Sequence, residues 1–391
     1  MRVVFVNRIA WPDEGATALY LTDVAEAAAA AGHEVHVLCG EASYRPGSDL
    51  GRRPPATRRG VRYHRVPGRR GRGTLDRALA SAAFLARAGW RLLRLPRPDV
   101  LVALTDPPFV DVVASAVARL RGARMVHWLM DVYPDVAVAA GVLRSRSITH
   151  RVLSAVMGAA LRRATAVVVL GPRMRRALLE RGVSRRRIRV IANWAPAEVE
   201  EASRRPPPPR PDRPLTLMYS GNYGVAHDLS PLLERLRLLP SGSPVRLILQ
   251  VTGARVPELR HAVAELPVAV EWRQPVPLCD LATSLLQADV HVVSVRSGFE
   301  RLVVPSKVYA PLALGCRVLP IGSLSRPRRY TVVEDRAHDG GGRATPAPTP
   351  LEAALAAVSG ESGVWIGRAD TGRRASLDAW TAALGTAVTG A

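Results

Sequence analysis

One candidate for chemistry in this sequence is a serine–lysine pair that directly follows a proline. Ser306 and Lys307 come after Pro305, and Lys307 is the only lysine in a chain whose other basic side chains are arginine and histidine. Proline favours the first position of a helix, where free backbone amides can meet an anion. A hydroxyl, an ammonium group and these amides would together bind a diphosphate. The alternative is a solvated lysine, as most charged residues are.

A second candidate is a glycine-rich turn that begins at Gly221 and Asn222. The turn follows the apolar run 215–219 and leads into a helical pattern. Glycine lets a ligand approach the backbone closely, and the start of a helix favours negative charge. The spacing is not GxGxxG, so no dinucleotide site is predicted. An ordinary turn with Asp228 as a helix N-cap explains the same residues.

Further polar residues follow other apolar runs. Glu300 comes after the run 290–295 and would accept hydrogen bonds from sugar hydroxyls, unless it pairs with a neighbouring arginine. Glu14 lies in the loop after the first run, and His127 and Asp131 lie at the end of the run 125–129. The last two would orient an acceptor hydroxyl or a transferred sugar. The alternative for His127 is a buried histidine whose nitrogens are satisfied by neighbours.

The elements that must position these residues alternate between short β-branched runs and longer helical patterns. This alternation is typical of βαβ units and parallel sheets, so we predict two doubly wound α/β domains, at 1–203 and 215–366. Residues 204–214 contain six prolines and predict a stiff linker. Residues 367–391 predict a C-terminal helix that packs back on the first domain. Ligands of parallel sheets bind beyond the carboxyl ends of the strands, so the two domains are expected to face each other across a cleft.

Composition narrows the class of protein. The chain has 391 residues, of which 48% are hydrophobic and 23% charged, as in soluble globular proteins. Its three cysteines show no CxxC spacing, and no apolar run is long enough for a signal peptide or a membrane span. We therefore expect a cytoplasmic protein, soluble or peripheral at the inner face of the membrane. Serine-nucleophile elbows, HExxH, Walker A and DxD-like motifs are absent from the sequence, so neither a metal nor another cofactor is predicted.

The charge is strongly basic, with a formal net charge of +22 and arginine-dense segments at 45–94 and 144–189. Part of this excess is attributable to a GC-rich genome, in which arginine codons replace lysine codons. Such a surface would bind nucleic acid or an anionic membrane. Aromatic residues make up only 5% of the chain, which disfavours stacking on nucleic acid. A membrane surface or an anionic acceptor, such as a lipid-phosphate sugar, is the favoured partner.

The chain resembles the glycosyltransferase family 4 enzymes, most closely the bacterial capsule and colanic-acid sugar transferases. The matching stretches, in order along residues 1 to about 360, are 11–17 with Asp23 and 31–35, 128–134, 168–174, 191–194, 220–228 and 304–309. The resemblance implies a GT-B fold, with the nucleotide in the C-terminal domain and the acceptor in the N-terminal domain. It also implies sugar transfer from a nucleotide donor, with retention of anomeric configuration and without a bound metal.

The same resemblance implies a role for each candidate residue. The catalytic residues would be Glu300, Lys307, Asp131 and His127. The donor-binding residues would be Gly15, Gly221, Asn222, Glu300, Ser306, Lys307 and Tyr309, and the acceptor-binding residues Glu14, His127 and Asp131. One position departs from the family pattern, because Ala310 stands where the family usually has the second of two paired glutamates. Contacts of that glutamate to the nucleotide ribose are therefore in question.

The expected function is a retaining glycosyltransferase that uses a nucleoside-diphosphate sugar, most often a UDP-sugar, and a hydroxyl acceptor. The acceptor would belong to a cell-envelope glycan or a secondary metabolite. Two alternatives stay open. One is a GT-B-type epimerase of nucleotide sugars, and the other is a non-catalytic basic protein that binds membrane or nucleic acid. The sequence does not distinguish the sugar, the base, the acceptor or the oligomeric state.

Overall fold

The computed structural model of the protein describes residues 1–41, 54–68, 73–202, 213–322, 333–334, 365–366 and 372–389. The predicted linker at 204–214 lies outside the described residues except for Arg213 and Pro214. The chain divides into two compact units. The first comprises Met1–Asn193, Arg301–Val304 and Arg374–Ala391, and the second comprises Trp194–Glu300 and Pro305–Arg373.

The first unit is built on an eight-stranded sheet. Its strands are β1 (Arg2–Val6), β2 (Glu34–Gly40), β3 (Thr57–Arg58), β4 (Val61–Val66), β5 (Val100–Ala103), β6 (Arg124–Leu129), β7 (Ala166–Val169) and β8 (Ile188–Val190). Their spatial order is β3-β4-β2-β1-β5-β6-β7-β8, and every neighbouring pair is parallel except β3 with β4. The order reverses between β1 and β5, which is the switch point of a doubly wound sheet.

In the described residues, six α-helices accompany this sheet before the second unit begins. They are α1 (Ala16–Ala30), α2 (Thr74–Arg94), α3 (Val110–Arg121), α4 (Asp135–Ala139), α5 (Ile148–Arg163) and α6 (Pro172–Glu180). One core cluster joins Phe84 and Leu92 of α2 to Val4 of β1 and Leu101 of β5. Strands whose every residue is buried, such as β5 and β7, are apolar throughout because helices cover both faces of a parallel sheet.

The second unit repeats this architecture around a seven-stranded sheet. Its elements are α7 (Ala197–Glu201), β9 (Leu215–Asn222), α8 (Ser230–Arg237), β10 (Val245–Thr252), α9 (Val256–Val263), β11 (Ala269–Arg273), α10 (Leu278–Leu285), β12 (Val290–Ser294), α11 (Tyr309–Ala313), β13 (Arg317–Ile321), β14 (Val333–Glu334) and β15 (Trp365–Ile366). The order β11-β10-β9-β12-β13-β15-β14 again switches at the first strand of the unit. The prediction of two doubly wound α/β sheets is confirmed.

Two short segments do not follow the predicted domain ranges. The second unit begins at Trp194, because Ala195 and Val199 pack in one core cluster with Met218 and Ile248 of its sheet. Residues Arg301–Val304 belong to the first unit, where the backbone amide of Val132 donates to the carbonyl of Leu302 at 3.0 Å.

The last helix, α12 (Gly372–Thr389), also joins the first unit from Arg374 onward. Its Trp380 packs on Trp128 of β6, with ring centroids 4.3 Å apart, and its Ser376 hydroxyl donates to the carbonyl of Ala192. The chain therefore returns to its first unit after completing the second.

The segment after Pro305 is less regular than the helix that the sequence predicts to start there. Ser306–Val308 forms a 3₁₀ turn, and α11 starts only at Tyr309. Pro311 has no amide hydrogen, so the α-helical bond to the carbonyl of Lys307 is missing. The tighter turn lies at the residues that the sequence singled out for anion binding.

Candidate functional site

In the second unit, Lys307 lies against Gly221, and both residues were predicted to bind an anion. Gly221, near the end of β9, has φ +116, in the region that side chains rarely adopt. A Cβ atom there would come within 2.9 Å of Cε of Lys307. The aliphatic part of the lysine therefore passes directly over a backbone that only glycine permits.

The ammonium group of Lys307 has no carboxylate partner among the described residues. Its Nζ lies 2.8 Å from Nε2 of His227 and 5.2 Å from the ring centre of Tyr219. Burial lowers the pKa of Lys307 to about 7, because the surrounding protein removes water from the charged form. In its protonated form the group is therefore a positive charge without a carboxylate counterion among the residues that the structure describes.

His227 fixes the direction of this lysine. The Nδ1 atom of His227 lies 2.9 Å from the carbonyl oxygen of Ser294, which can only accept a hydrogen bond. Nδ1 therefore carries the proton and Nε2 accepts from Lys307. Burial, and secondly the charge of Lys307, lower the pKa of His227 to about 3, so the ring is neutral at physiological pH. Arg255 Nη1 in turn donates to the carbonyl of His227 at 2.8 Å.

The neighbouring predicted residues occupy three different positions. Asn222 is exposed at the last position of β9, and Ser306 is half-buried at the start of the 3₁₀ turn. Glu300 turns back on its own loop, where its Oε2 accepts from the backbone amide of Gly298 at 2.9 Å. The carboxylate of Glu300 thus bonds to a backbone amide, whereas the sequence analysis considered an ion pair with a neighbouring arginine.

Tyr309 lies on α11, directly after the 3₁₀ turn that carries Ser306 and Lys307. Only 1% of its surface is exposed, so its ring belongs to the interior of the second unit. That Tyr309 is a donor-binding residue stays a prediction.

Asp228 bonds within the glycine turn but is not the N-cap of α8. Its carboxylate accepts from the backbone amide of Ser230 at 2.9 Å, whereas the N-cap of α8 is Leu229, whose side chain makes no capping bond. The bond of Asp228 and the contact between Gly221 and Lys307 involve different residues of the same loop, so neither excludes the other.

In the first unit, the polar residues at the carboxyl edge of the sheet form a charged cluster. Arg8, after β1, holds Asp106, after β5, through Nη2 to Oδ1 at 2.6 Å and Nε to Oδ2 at 3.3 Å. Asp131, after β6, is half-buried next to them. Burial, and secondly the charge of Asp106, raise the pKa of Asp131 to about 6. A carboxyl group with such a pKa can exchange a proton near neutral pH.

The loop after β1 carries the other two predicted residues of this unit. Glu14 is half-buried in the loop, and Gly15 precedes α1 in an extended conformation with φ −66 and ψ 144. The carbonyl of Gly15 accepts from the amide of Leu19, which is the first bond of the helix. Glu14, Gly15 and Asp131 thus follow strands β1 and β6, at the same edge of one sheet.

His127 does not lie at this edge, and the prediction that it is catalytic or binds an acceptor is wrong. Its ring is fully buried within β6. Its Nδ1 lies 3.3 Å from Oδ2 of Asp111 and its Nε2 lies 3.0 Å from the hydroxyl of Ser115, both on α3. The alternative interpretation, a satisfied core histidine, describes the residue. Strand side chains alternate between faces, and His127 faces the covering helix.

Sequence analysis missed the partners of the two most promising side chains. The contact between His227 and Lys307 joins residues far apart in the chain, and no pattern in the sequence indicates it. Asp106 and Arg8 were recognisable in principle, since Asp106 follows β5, the neighbour of β6, and Arg8 follows β1, the neighbour of β5. The rule that ligands bind beyond strand ends would have included both.

The described residues contain no group of three or more His, Cys, Asp or Glu side chains placed to hold a metal ion. In the same described part of the chain, no helix is long and apolar enough to cross a membrane.

Comparison with known proteins agrees with this architecture. Residues 15–194 match the family described as "Glycosyl transferase 4-like domain". A curated relative, the probable glycosyltransferase WbjE of Pseudomonas aeruginosa, is 26% identical over 239 residues, and the match covers 58% of this chain and 58% of that protein. The chain thus spans less than two thirds of the length of this relative.

Two solved structures share the fold over the full length of the chain. Anabaena Alr3699/HepE, in complex with UDP and glucose, gives a TM-score of 0.58 at 15% identity, covering 100% of this chain and 95% of that chain. The lipopolysaccharide outer core galactosyltransferase WaaB, in its apo form, gives 0.58 at 14% identity, covering 100% and 99%. The predicted GT-B fold is confirmed. Residues 15–194 are thus similar to glycosyl transferase 4-like domains, and the chain has the fold of the GT-B glycosyltransferases.

Proposed function

We propose that this protein is a retaining glycosyltransferase that moves a sugar from a nucleoside-diphosphate sugar to a hydroxyl acceptor. The observation that carries the proposal is the ammonium group of Lys307, which lies over the Gly221 turn without a carboxylate partner among the described residues. A diphosphate would supply the missing negative charge. It would also gain stabilisation as charge develops on it when the sugar leaves.

The donor is proposed to be a UDP-sugar. Support comes from relatives of the same fold, since Alr3699/HepE is seen with UDP, with UDP and glucose, and with UDP-glucose. Gly221, Asn222, Ser306 and Lys307 would bind the diphosphate, and Glu300 would turn from Gly298 to contact the sugar. Gly15 is proposed as a further donor-binding residue, as the family resemblance implies. Because a cation already offsets the leaving charge, the reaction is proposed to need no metal.

The acceptor is proposed to bind the first unit. Asp131 would accept a hydrogen bond from the attacking hydroxyl, and Glu14 would position the acceptor beside it. The basic charge of this unit supports an anionic or lipid-linked acceptor, as in the assembly of cell-envelope glycans or the glycosylation of secondary metabolites. Retention of configuration is proposed from the family resemblance, with the acceptor attacking from the face that the diphosphate leaves.

Product analysis tests this proposal. The protein would be incubated with UDP-sugars, singly, and with a lipid-phosphate sugar as acceptor, and release of UDP and the anomeric configuration of the product would be measured. A transferase releases UDP only when the acceptor is present and yields a product with the anomeric configuration of the donor. An epimerase would convert the UDP-sugar into its isomer with no net release of UDP, which would contradict the proposal.

A further inference from the structure

Helix α5 of the first unit exposes an apolar stripe that the fold does not cover. Ile148, Val152 and Val156 follow one another at intervals of four residues and are 81%, 54% and 43% exposed. Side chains at this spacing share one face of a helix. The helix buries a different face, with Met157 and Leu161 packed into the unit. The stripe is therefore additional to the surface that holds α5 in place.

Exposed arginines lie before and within α5, with no acidic residue near them in the sequence. Between Asp135 and Glu180 the sequence contains eight arginines and no acidic residue. Arg144 and Arg146 precede the helix and Arg151 lies in its second turn, and all three are exposed. None of the three forms an ion pair with a carboxylate among the described residues. Val142, 74% exposed in the loop before α5, is a further exposed apolar side chain of the same segment.

We propose that this face, Val142 to Val156 with Arg144, Arg146 and Arg151, docks on an anionic lipid surface. An exposed apolar stripe flanked by arginines matches the interface of an anionic membrane, where apolar side chains enter the acyl boundary and cations meet the headgroups. A second copy of the chain fits less well, because a symmetric contact would bring like charges together.

The position of the face connects it to the proposed reaction. Helix α5 joins β6 to β7, two parallel neighbours, so it runs antiparallel to them and starts at the carboxyl edge of the sheet. Asp131 lies at this same edge, directly after β6. A docked membrane would thus present a lipid-linked acceptor near the proposed acceptor residue. In this respect the inference rests on the proposed function, although lipid binding itself requires no catalysis.

Vesicle sedimentation of the full chain tests the inference, with no nucleotide or acceptor present. Vesicles of phosphatidylcholine alone would be compared with vesicles that contain phosphatidylglycerol, at low and high salt. The wild type should bind the anionic vesicles, less at high salt. The variant Ile148→Ser/Val152→Ser should bind at least about tenfold more weakly. The variant Arg144→Gln/Arg151→Gln should lose about fivefold per arginine.

Two matched controls make the result specific to this face. Leu238→Ser removes an 84% exposed leucine from the second unit, and Arg185→Gln/Arg186→Gln removes two exposed arginines from the turn before β8. Both controls should bind anionic vesicles more tightly than the matched α5 variants do. Because every substituted side chain is exposed, circular dichroism should show all variants folded.

The proposal is overturned if the α5 variants bind anionic vesicles as tightly as the wild type does. It is also overturned if the control variants lose as much binding as the α5 variants. It is also overturned if the wild type binds a single-stranded RNA oligonucleotide but not anionic vesicles, since the basic surface would then serve nucleic acid. None of these outcomes affects nucleotide binding at Lys307. Conversely, a failure of nucleotide binding would leave the vesicle result unchanged.

Discussion

The Nζ atom of Lys307 lies 2.8 Å from Nε2 of His227, whose Nδ1 lies 2.9 Å from the carbonyl of Ser294. A lysine ammonium has three donors, and this arrangement uses one of them on a neutral imidazole. Nζ makes no other hydrogen bond to a described residue. The chain from carbonyl to imidazole to ammonium therefore orients a cation without neutralising it, which is the arrangement an anion site requires.

The first prediction is that affinity for a nucleotide sugar falls as pH rises. The pKa of Lys307 is lowered to about 7, and a diphosphate binds the protonated form better. Above that pKa the free protein must take up a proton to bind, so Kd should rise by up to about tenfold per pH unit. Calorimetric titration with UDP-glucose at pH 7, 8 and 9 measures the slope, because the diphosphate of a UDP-sugar does not titrate there. A flat profile would rule out Lys307 as the titrating contact.

A second prediction concerns His227. His227→Phe removes the acceptor for Lys307, whereas the side-chain oxygen of Gln in His227→Gln can replace it. We expect the phenylalanine variant to bind nucleotide about tenfold or more weakly, and the glutamine variant to bind closer to the wild type. The pH at which affinity begins to fall should also shift in the phenylalanine variant. If both variants lose affinity equally with no shift, His227 acts only through packing.

The third prediction separates backbone strain from the contact with lysine. Gly221→Ala should lose about 1–2 kcal/mol of stability from its positive φ and should also displace Lys307, whose Cε would lie 2.9 Å from the new Cβ. Gly242→Ala is the matched control, because its φ is +81 and no atom lies within 4 Å of the new Cβ. Chemical denaturation should show similar losses for both variants, but only Gly221→Ala should bind nucleotide poorly. Equal nucleotide binding would contradict the contact.

A fourth prediction is that Asp131→Asn stabilises the protein above neutral pH. Its folded-state pKa of about 6 exceeds the value near 3.8 of a free aspartate, so ionisation penalises the folded state. This penalty develops as pH rises from about 4 to 6, is complete above 6, and disappears where both states are protonated. Since Asp131 is partly exposed, we expect a gain of about 1–2 kcal/mol at pH 8 and none near pH 3.

Unfolding at several pH values measures this gain. Asp289→Asn is the control of opposite sign, because Asp289 pairs with Arg213 and accepts from the amide of Thr216 at 2.8 Å. That substitution should lower stability at pH 8. A loss of stability in Asp131→Asn at pH 8 would mean that the carboxylate is held by favourable contacts rather than kept for function.

The strands were predictable because a parallel sheet buries both faces, and runs such as 100–104 and 290–295 are then apolar throughout. The irregular start of the helical segment at 306–314 was less predictable. Pro311 cannot donate a hydrogen bond to the carbonyl of Lys307, but whether this matters depends on the residue at which the helix starts, which sequence periodicity does not fix. Likewise, the return of α12 to the first unit depends on the contact of Trp128 with Trp380, which lie 252 positions apart.

One rule of parallel sheets selects candidate residues at or after the carboxyl ends of strands, and Gly221, Asp131 and Lys307, which contacts Gly221, lie there. Their roles stay predictions. The rule does not tell which face of a strand a side chain takes, so it does not predict the burial of His127. The burial of Tyr309 was not predictable either, because it depends on where α11 begins. The partners His227 and Asp106 come from distant segments, so only the folded chain brings them to Lys307 and Asp131.

The most direct test of the anion site is nucleotide-dependent thermal stability of the wild type and of Lys307→Met. At about 100 times its Kd, a bound nucleotide adds about 2.7 kcal/mol to the folded state. UDP, GDP, ADP and dTDP would be compared, with Arg237→Met as the control that removes an exposed cation whose side chain donates to the carbonyl of Ala262. We predict that UDP stabilises the wild type and Arg237→Met but not Lys307→Met. Lys307→Met should still fold, because it removes a poorly solvated cation from the interior. Equal stabilisation of Lys307→Met by the nucleotide, or no stabilisation of the wild type by any of the four, would contradict the account.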